Sequence, residues 1–390
     1  MLSLEAPKSV NVNCGPVKLL VIQPTTFCNL NCDYCYLPDR HLKHKFPLEL
    51  LEPIFNNLFS SPYVREDFTI VWHAGEPLTM PIKFYEAAFE KINQLSLQHN
   101  VNNYSISHSI QTNATVITQA WCDFFKKYPI KIGVSLDGPA FLHDKNRKTR
   151  TGLGTHASTM RGIALLQKNQ IHFNIIAVLT KESLDYPDEI FQFFQDHGIT
   201  RVGFNVEETE GIHQQSSLES TETDIETKYR QFMQRFYDLT RHSQPRMTVR
   251  EFERVQRHIR RGSDISRGQA TPYTIINIDY QGNFMTFSPE LLSLETPDYG
   301  QFIIGNVLTD SFESALEKEQ FKRIQDDIQA GVDACRQTCE YFDLCGGGAP
   351  ANKYFENGSF RSTETLHCRY TQKALIDMML QDAEQFLGIA

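Results

Sequence analysis

Six runs of apolar, largely β-branched residues limit what this chain can fold into: KLLVIQ (Lys18 to Gln23), FTIVWH (Phe68 to His73), YSISHSIQ (Tyr104 to Gln111), IKIGVSL (Ile130 to Leu136), FNIIAVL (Phe173 to Leu179) and RVGFNV (Arg201 to Val206). Amphipathic helical stretches separate them, near 48–58, 83–98, 119–127, 157–168 and 184–197. Strand and helix in strict alternation predict a parallel α/β sheet, open or closed into a barrel. In such folds the βα loops open on one face, where the working residues gather. The strand exits carry a cysteine triplet, then HAGEP (His73 to Pro77), QTNAT (Gln111 to Thr115), SLDGP (Ser135 to Pro139), TKES (Thr180 to Ser183) and NVEE (Asn205 to Glu208). Each alone suits a turn; sharing one face, they predict the walls of a single site.

The triplet TTFCNLNCDYCYLPDR spaces Cys28, Cys32 and Cys35 as C-x3-C-x2-C. A structural zinc takes four ligands and a disulfide takes two cysteines. The setting favours metal binding: no run of about 18 apolar residues occurs, and the start MLSLEAPKSVNVN lacks a signal peptide's basic and apolar regions. A cytoplasmic location without membrane association is therefore expected, where thiols stay reduced. With 390 residues, 41% apolar and 22% charged, the chain has the composition of a soluble globular protein of two or three domains. Its formal charge of −9 argues against nucleic-acid binding, and the basic run Arg257 to Arg261 reads as a solvated helix face. Three thiolates suit a four-iron cluster whose last iron has no protein ligand. A fourth cysteine brought in from elsewhere would restore zinc. A second group, Cys335, Cys339, Cys345 and Cys368, lies near the C-terminus, while Cys14 and Cys122 read as ordinary small thiols.

The triplet after a first strand, with Gly75-Glu76-Pro77 after the second, resembles the radical S-adenosylmethionine (SAM) superfamily. That resemblance implies a partial (β/α)6 barrel and a [4Fe-4S] cluster on Cys28, Cys32 and Cys35, whose open iron is chelated by SAM. It places Tyr34 by the adenine, and Ala74, Gly75 and Glu76 in the element that holds the methionyl amino group. Ser135, Arg147 and Leu179 match contacts to the ribose, the SAM carboxylate and the adenine, and Asn113 joins the same cofactor wall. The implied chemistry is one-electron cleavage of SAM to a 5'-deoxyadenosyl radical that removes hydrogen from an unactivated C–H bond. The protein positions the reactants and excludes solvent.

Beyond a helical, charged stretch from about Thr221 to Arg261, the chain runs through NIDYQGNFMTFSPELL and a helix at about 311–329 to the second cysteine group. Its C-x3-C-x5-C spacing, the following Gly346 to Gly348 and the later Cys368 resemble the SPASM domain. The expected organisation is a barrel at 1–215, a helical connector at 216–270 and a SPASM-like domain at 271–390. Where a complete SPASM domain has two further cysteines, this chain has Phe287 or Ser288 and Ala349. One auxiliary [4Fe-4S] cluster, on Cys335, Cys339, Cys345 and Cys368, is therefore expected alongside the SAM-binding one.

TFSPELL, a single auxiliary cluster and GGGAPANKYFENGSF are most similar to the GrrM-type peptide maturases, which form three-residue cyclophanes. The implied reaction joins an aromatic ring to a β-carbon in a precursor peptide, with Glu290, Asp137 or Glu207 taking the ring proton. A flavodoxin- or ferredoxin-type reductant is implied by the chemistry. The N-terminal stretch is too short for a separate peptide-recognition domain of about 80 residues, so leader binding is expected at the barrel rim, the connector or another protein. Thioether-forming and sulfatase-type maturases, and a non-enzymatic zinc module, are the alternatives.

Overall fold

A computed structural model describes residues 14–219, 225–261, 268–292 and 294–387. The opening MLSLEAPKSVNVN and two pieces of the expected connector, 220–224 and 262–267, lie outside the described residues.

Each of the six apolar runs forms a strand: β1 (Leu19–Ile22), β2 (Phe68–Trp72), β3 (Ile106–Thr112), β4 (Ile130–Ser135), β5 (Phe173–Leu179) and β6 (Arg201–Val206). They pair in sequence order and all in parallel, with Leu20 opposite Ile70, Ile110 opposite Ile132 and Ala177 opposite Phe204. Between them run α1 (Leu51–Ser60), α2 (Ile82–His99), α3 (Gln119–Lys127), α4 (Ala140–Asn146), α5 (His156–Lys168) and α6 (Pro187–Asp196). The pleat separates two faces: Ile175, Ala177 and Leu179 of β5 are buried, whereas Ile176 and Val178 between them are half-buried. The half-buried face is partly polar. Gln111 of β3 lies over Gly133 of β4, where a Cβ would sit 2.0 Å from its Oε1, and donates to Ser135 Oγ at 3.0 Å. On the buried face Trp72 packs edge-on against Phe84 and Tyr85 of α2. Truncating an aromatic in such a position typically costs about 3–5 kcal/mol. Cys14 and Cys122 are buried in this core.

The sheet does not end with the sixth strand. The stretch expected to be helical contains α7 (Ile225–Arg241), a short strand β7 (Thr248–Val249) and α8 (Arg250–Arg261), and β7 pairs in parallel with β6. At the other edge β8 (Ile275–Ile278) lies parallel to β1, with Leu19 opposite Ile275. β9 (Asn283–Thr286) returns antiparallel to β8 across the DYQG turn. After a two-stranded ribbon of β10 (Glu295–Thr296) and β11 (Gly300–Gln301), β12 (Gly305–Asn306) completes a ten-stranded sheet in the order β12-β9-β8-β1-β2-β3-β4-β5-β6-β7. Three of the four residues in the IINI run of β8 are isoleucines, as suits an interior strand flanked by β1 and β9, and the fourth, Asn277, is a buried polar residue.

The helix expected at 311–329 is two helices, α9 (Phe312–Leu316) and α10 (Glu319–Thr338). Ser311 and Ser314 cap the first in a reciprocal box, and Lys318 is extended between them. The polar run Glu317 to Gln320 supplies no apolar face to carry one helix through. α10 then continues past the expected end and carries Cys335 on its last turns. The chain closes with α11 (Phe342–Cys345), α12 (Pro350–Asn357), α13 (Leu366–Cys368) and α14 (Leu375–Leu387). Among the described residues no helix is long and apolar enough to cross a membrane.

Candidate active site

The cysteine loop follows β1 and is stitched by one arginine. Arg40 donates to the carbonyls of Cys32, Cys35 and Leu37 at 3.4, 3.2 and 3.1 Å and to Asn31 Oδ1 at 3.0 Å. Its own carbonyl accepts from the Cys28 N–H. Cys28 Sγ accepts from the Leu30 N–H at 3.4 Å. Burial, followed by Glu76, pushes the Cys28 thiol well up, and burial raises Cys32 to about 11. A ligand that requires thiolates must displace those protons on binding.

The HAGEP loop after β2 packs onto this loop. Ala74 and Gly75 both adopt positive φ, at 70° and 68°, and a Cβ on Gly75 would lie 2.4 Å from Thr25 O and 2.8 Å from Phe27 O. Only glycine fits against two backbone carbonyls in that conformation. Glu76 turns away from the open face. Its buried carboxylate accepts from Leu78 N, Thr112 Oγ1 and Asn113 N at 2.9, 2.7 and 2.8 Å, and burial lifts its pKa to about 6 against those bonds. The side chain therefore braces the β2 and β3 exits, which leaves the neighbouring backbone of Ala74 and Gly75 to face a ligand. Asn113 is also committed: it donates to Asn29 of the cysteine loop at 2.9 Å and accepts from Thr115 N and Oγ1 at 3.0 and 2.6 Å.

At the β4 exit Asp137 and Arg147 form a buried pair, with Nε and Nη2 each 2.9 Å from a separate carboxylate oxygen. Asp137 also accepts from Val178 N at 2.9 Å and from the Tyr34 hydroxyl. Arg147 lies 5.3 Å from the Tyr34 ring centroid. Burial alone would raise Asp137, but the Arg147 charge and its two hydrogen bonds hold it below the usual carboxylate range. A carboxylate so low and so fully bonded is no proton acceptor at neutral pH, and this corrects the expectation that Asp137 is a candidate base. Its role is to orient Tyr34 and Arg147. Ser135 is half-buried beside Gln111, and Leu179 is buried at the end of β5.

Glu207 is likewise consumed, accepting from Ser217 N at 3.0 Å, from Ser217 Oγ, and lying 3.1 Å from His213 Nε2. These bonds anchor the 213–217 loop. Glu290 stands apart. It sits on the turn after β9, where Phe287 has a φ of 78°, strained for a bulky L-residue and a frequent mark of functional segments. Its carboxylate accepts from Ser288 Oγ. Burial, reinforced by the charge of Glu208, raises it to about 7.

Glu290 belongs to a polar cluster assembled from distant segments. Burial and the negative charge of Glu208 hold Glu210 well above the carboxylate range. Glu208 is held low against burial by the charge of His367, whose Nδ1 lies 3.3 Å from Glu208 Oε2 without hydrogen-bond geometry. Asn352 of α12 donates to Glu208 at 2.6 Å. Tyr36, next to Cys35, points a buried hydroxyl with no hydrogen-bond partner toward Glu290 and Glu210, whose charges raise it after burial. The cluster thus reaches the triplet through Tyr36 and the second cysteine group through His367.

Cys335, Cys339, Cys345 and Cys368 line one small cavity with Tyr341, Phe342, Gly347, Gly348 and Lys353 and with no carboxylate or imidazole. Gly346, Gly347 and Gly348 all have positive φ, at 76°, 109° and 78°. This curl turns the N–H groups of Gly347 and Gly348 onto Cys345, offsetting part of the upward shift that burial imposes on its thiol. Among the described residues no three His, Cys, Asp or Glu side chains form a ready site for a metal ion. The quartet surrounds a space, and four thiols with no carboxylate or imidazole beside them fit an iron–sulfur cluster. Phe287, one position that would carry a further SPASM cysteine, is fully buried and stacked on Phe321, and Ala349 lines the quartet's cavity.

A parallel, unclosed barrel with a three-thiol loop at its first strand exit fits the class of iron–sulfur proteins that hold a cluster on three cysteines. The radical SAM superfamily model matches residues 22–209. An uncharacterized protein of Synechocystis sp. is 55% identical over 388 residues, covering 99% of this chain and 97% of its own. Residues 22–209 of the chain are thus a radical SAM domain, and that family implies a [4Fe-4S] cluster and SAM. A serine-type anaerobic sulfatase-maturating enzyme of Bacteroides thetaiotaomicron is 33% identical over 187 residues, 46% of this chain and 44% of that enzyme. The structure of anSMEcpe with bound AdoMet and the Cp18Cys peptide shares the fold with a TM-score of 0.73 at 21% identity, covering 95% of this chain and all of that one.

Proposed function

We propose that this enzyme is a peptide maturase that installs carbon–carbon crosslinks, three-residue cyclophanes joining an aromatic ring to a β-carbon, in a ribosomally made precursor. The observation that carries this reading is the Glu208, Glu210 and Glu290 cluster set between two thiol sites. When bound, the first cluster with SAM supplies hydrogen-atom removal from an unactivated C–H bond, and the second accepts an electron.

The chain's own groups would do the rest. Arg147, fixed by Asp137, would receive the SAM carboxylate, and the backbone of Ala74 and Gly75 the methionyl amino group. Tyr34, Ser135 and Leu179 complete the proposed SAM wall. Adding a carbon radical to an aromatic ring leaves a ring proton to be lost, and Glu290 is the proposed acceptor. A carboxyl with a pKa of about 7 is half ionised near neutrality, where a general base works best. A peptide bound in the relative of like fold supports a peptide substrate.

A sulfatase-type maturase is the second reading, favoured by the barrel's identity to the Bacteroides enzyme. Phe287 and Ala349 weigh against it, because the resemblance associates a cysteine with each of those neighbourhoods in a complete SPASM domain. Iron and sulfide analysis of anaerobically reconstituted protein tests the cofactor part. About eight irons per chain support two clusters, about four would remove the auxiliary one, and none would end the reading.

A further inference from the structure

The quartet's cavity contains one group that cysteine spacing cannot reveal. Lys353 of α12 is 3% exposed, and its Nζ lies 3.3 Å from Cys335 Sγ and 3.0 Å from the carbonyl oxygen of Gly331 on α10. Its stem passes Gly348, with Cε 3.7 Å from where a Cβ there would be. Among the described residues no carboxylate lies within ion-pair distance of it. The nearby cations are differently placed: Lys373 pairs with Glu364, and Arg254 donates to Thr371 O. An ammonium buried without a carboxylate is expensive unless another anion compensates it. The only candidate anion on the lining is the set of four thiolates that a metal cluster would hold.

We infer that Lys353 sets the reduction potential of the auxiliary site by donating a charged hydrogen bond to the Cys335 sulfur. This inference rests on the quartet holding a cluster, the reading proposed above. Two features make the direction definite. A centre held by four thiolates becomes more negative when it takes up an electron, so a fixed positive charge at one sulfur favours the reduced state. Hydrogen bonds to the sulfurs act in the same direction, and Lys353 adds a charged donor to the neutral Gly347 and Gly348 N–H groups on Cys345. The site is thereby biased toward accepting electrons, which suits the end of a crosslinking reaction that must dispose of one. Lys353 acts through the Cys335 sulfur rather than on substrate or SAM and is a positioning residue.

The competing role is structural: satisfying the Gly331 carbonyl, where α10 packs so closely that a Cβ on Gly331 would lie 2.1 Å from Phe360 O. The two roles separate in a redox titration followed by electron paramagnetic resonance. The full-length reconstituted chain would carry Cys28→Ala, Cys32→Ala and Cys35→Ala, so that about four irons report the second site alone. Lys353→Met removes the charge and the donor, Lys353→Gln keeps a neutral donor, and Lys353→Arg keeps the charge. The expected result is a roughly tenfold fall in the reduced-to-oxidised ratio at fixed potential for Lys353→Met, about 59 mV for a one-electron couple. Lys353→Gln should fall between Met and wild type, and Lys353→Arg should stay within about twofold of wild type. A Met variant that keeps its iron and titrates like wild type would overturn the inference. So would loss of iron from both neutral variants, which would leave Lys353 a structural part. Absence of iron from the parent protein would overturn the auxiliary-cluster reading and this inference with it.

Discussion

Replacing Asp137 by Asn tests how the site is held together. The carboxylate is 4% exposed and accepts from Arg147 twice, from Val178 N and from Tyr34. Arg147 is nearly as buried. An asparagine of the same shape keeps an acceptor for one Arg147 N–H but turns the other position into a donor facing a donor, and leaves the guanidinium without its counter-charge. Breaking a buried pair from one side costs about 3–5 kcal/mol, against a total stability of about 5–15 kcal/mol. Urea unfolding of the metal-free chain, followed by Trp72 and Trp121 fluorescence, should show a loss of about 3 kcal/mol or more at pH 7. The exposed pair Lys145–Glu182 is the control, since such pairs contribute less than about 1 kcal/mol. The pH dependence has a definite sign. Asp137 is held below its unfolded pKa, so its contribution is complete above that value, about 3.9, and is lost as the pH falls through the folded one. The gap between wild type and Asp137→Asn should be flat above about pH 4 and close below it. A loss under about 1 kcal/mol at pH 7, or a gap that widens on acidification, would refute the buried-pair account.

Glu290→Gln should lower turnover roughly a hundredfold or more while leaving SAM and peptide binding intact. In wild type the rate should rise with pH through about 7, because the base works when deprotonated, and that limb should vanish in the variant. Stopped assays across pH 5.5 to 8.5 check both. Gly75→Ala should weaken SAM binding at least tenfold with the iron retained, because its Cβ meets two backbone carbonyls at a positive φ. Gly152→Ala, at φ +85° with nothing within 4 Å of the new Cβ, should show only the conformational cost of about 1–2 kcal/mol.

The six barrel strands and five of the six helices between them were legible because each is a run with one period, long enough to be read without its neighbours; α4, only seven residues long, was not read. β7 was not, being two residues whose strand character comes only from lying beside β6. The cysteine groups could be read because spacing alone carries ligand chemistry. The carboxylates could not. Asp137 and Glu207 carry the same functional group as Glu290, and what separates them is who stands beside them: Arg147 in one case, Ser217 and His213 in another, burial and Glu208 in the third. Glu208, Glu210, His367 and Tyr36 were overlooked as a unit because their segments lie far apart in the chain. Tyr36 beside Cys35 and His367 beside Cys368 were the available hints. Asn113 and Glu76, read as part of the cofactor wall, also tie loops together through their side chains, a role that only hydrogen-bond partners reveal.

The crosslink is read most directly from the mass of a precursor peptide after anaerobic reaction with the reconstituted enzyme, SAM and a reductant. The peptide should come from the gene beside this one. The account predicts a product lighter by two hydrogens per crosslink, inert to carbonyl reagents, with fragmentation blocked between an aromatic residue and the residue two positions after it. A product that forms a hydrazone, or a peptide returned unchanged while SAM is cleaved, would contradict it.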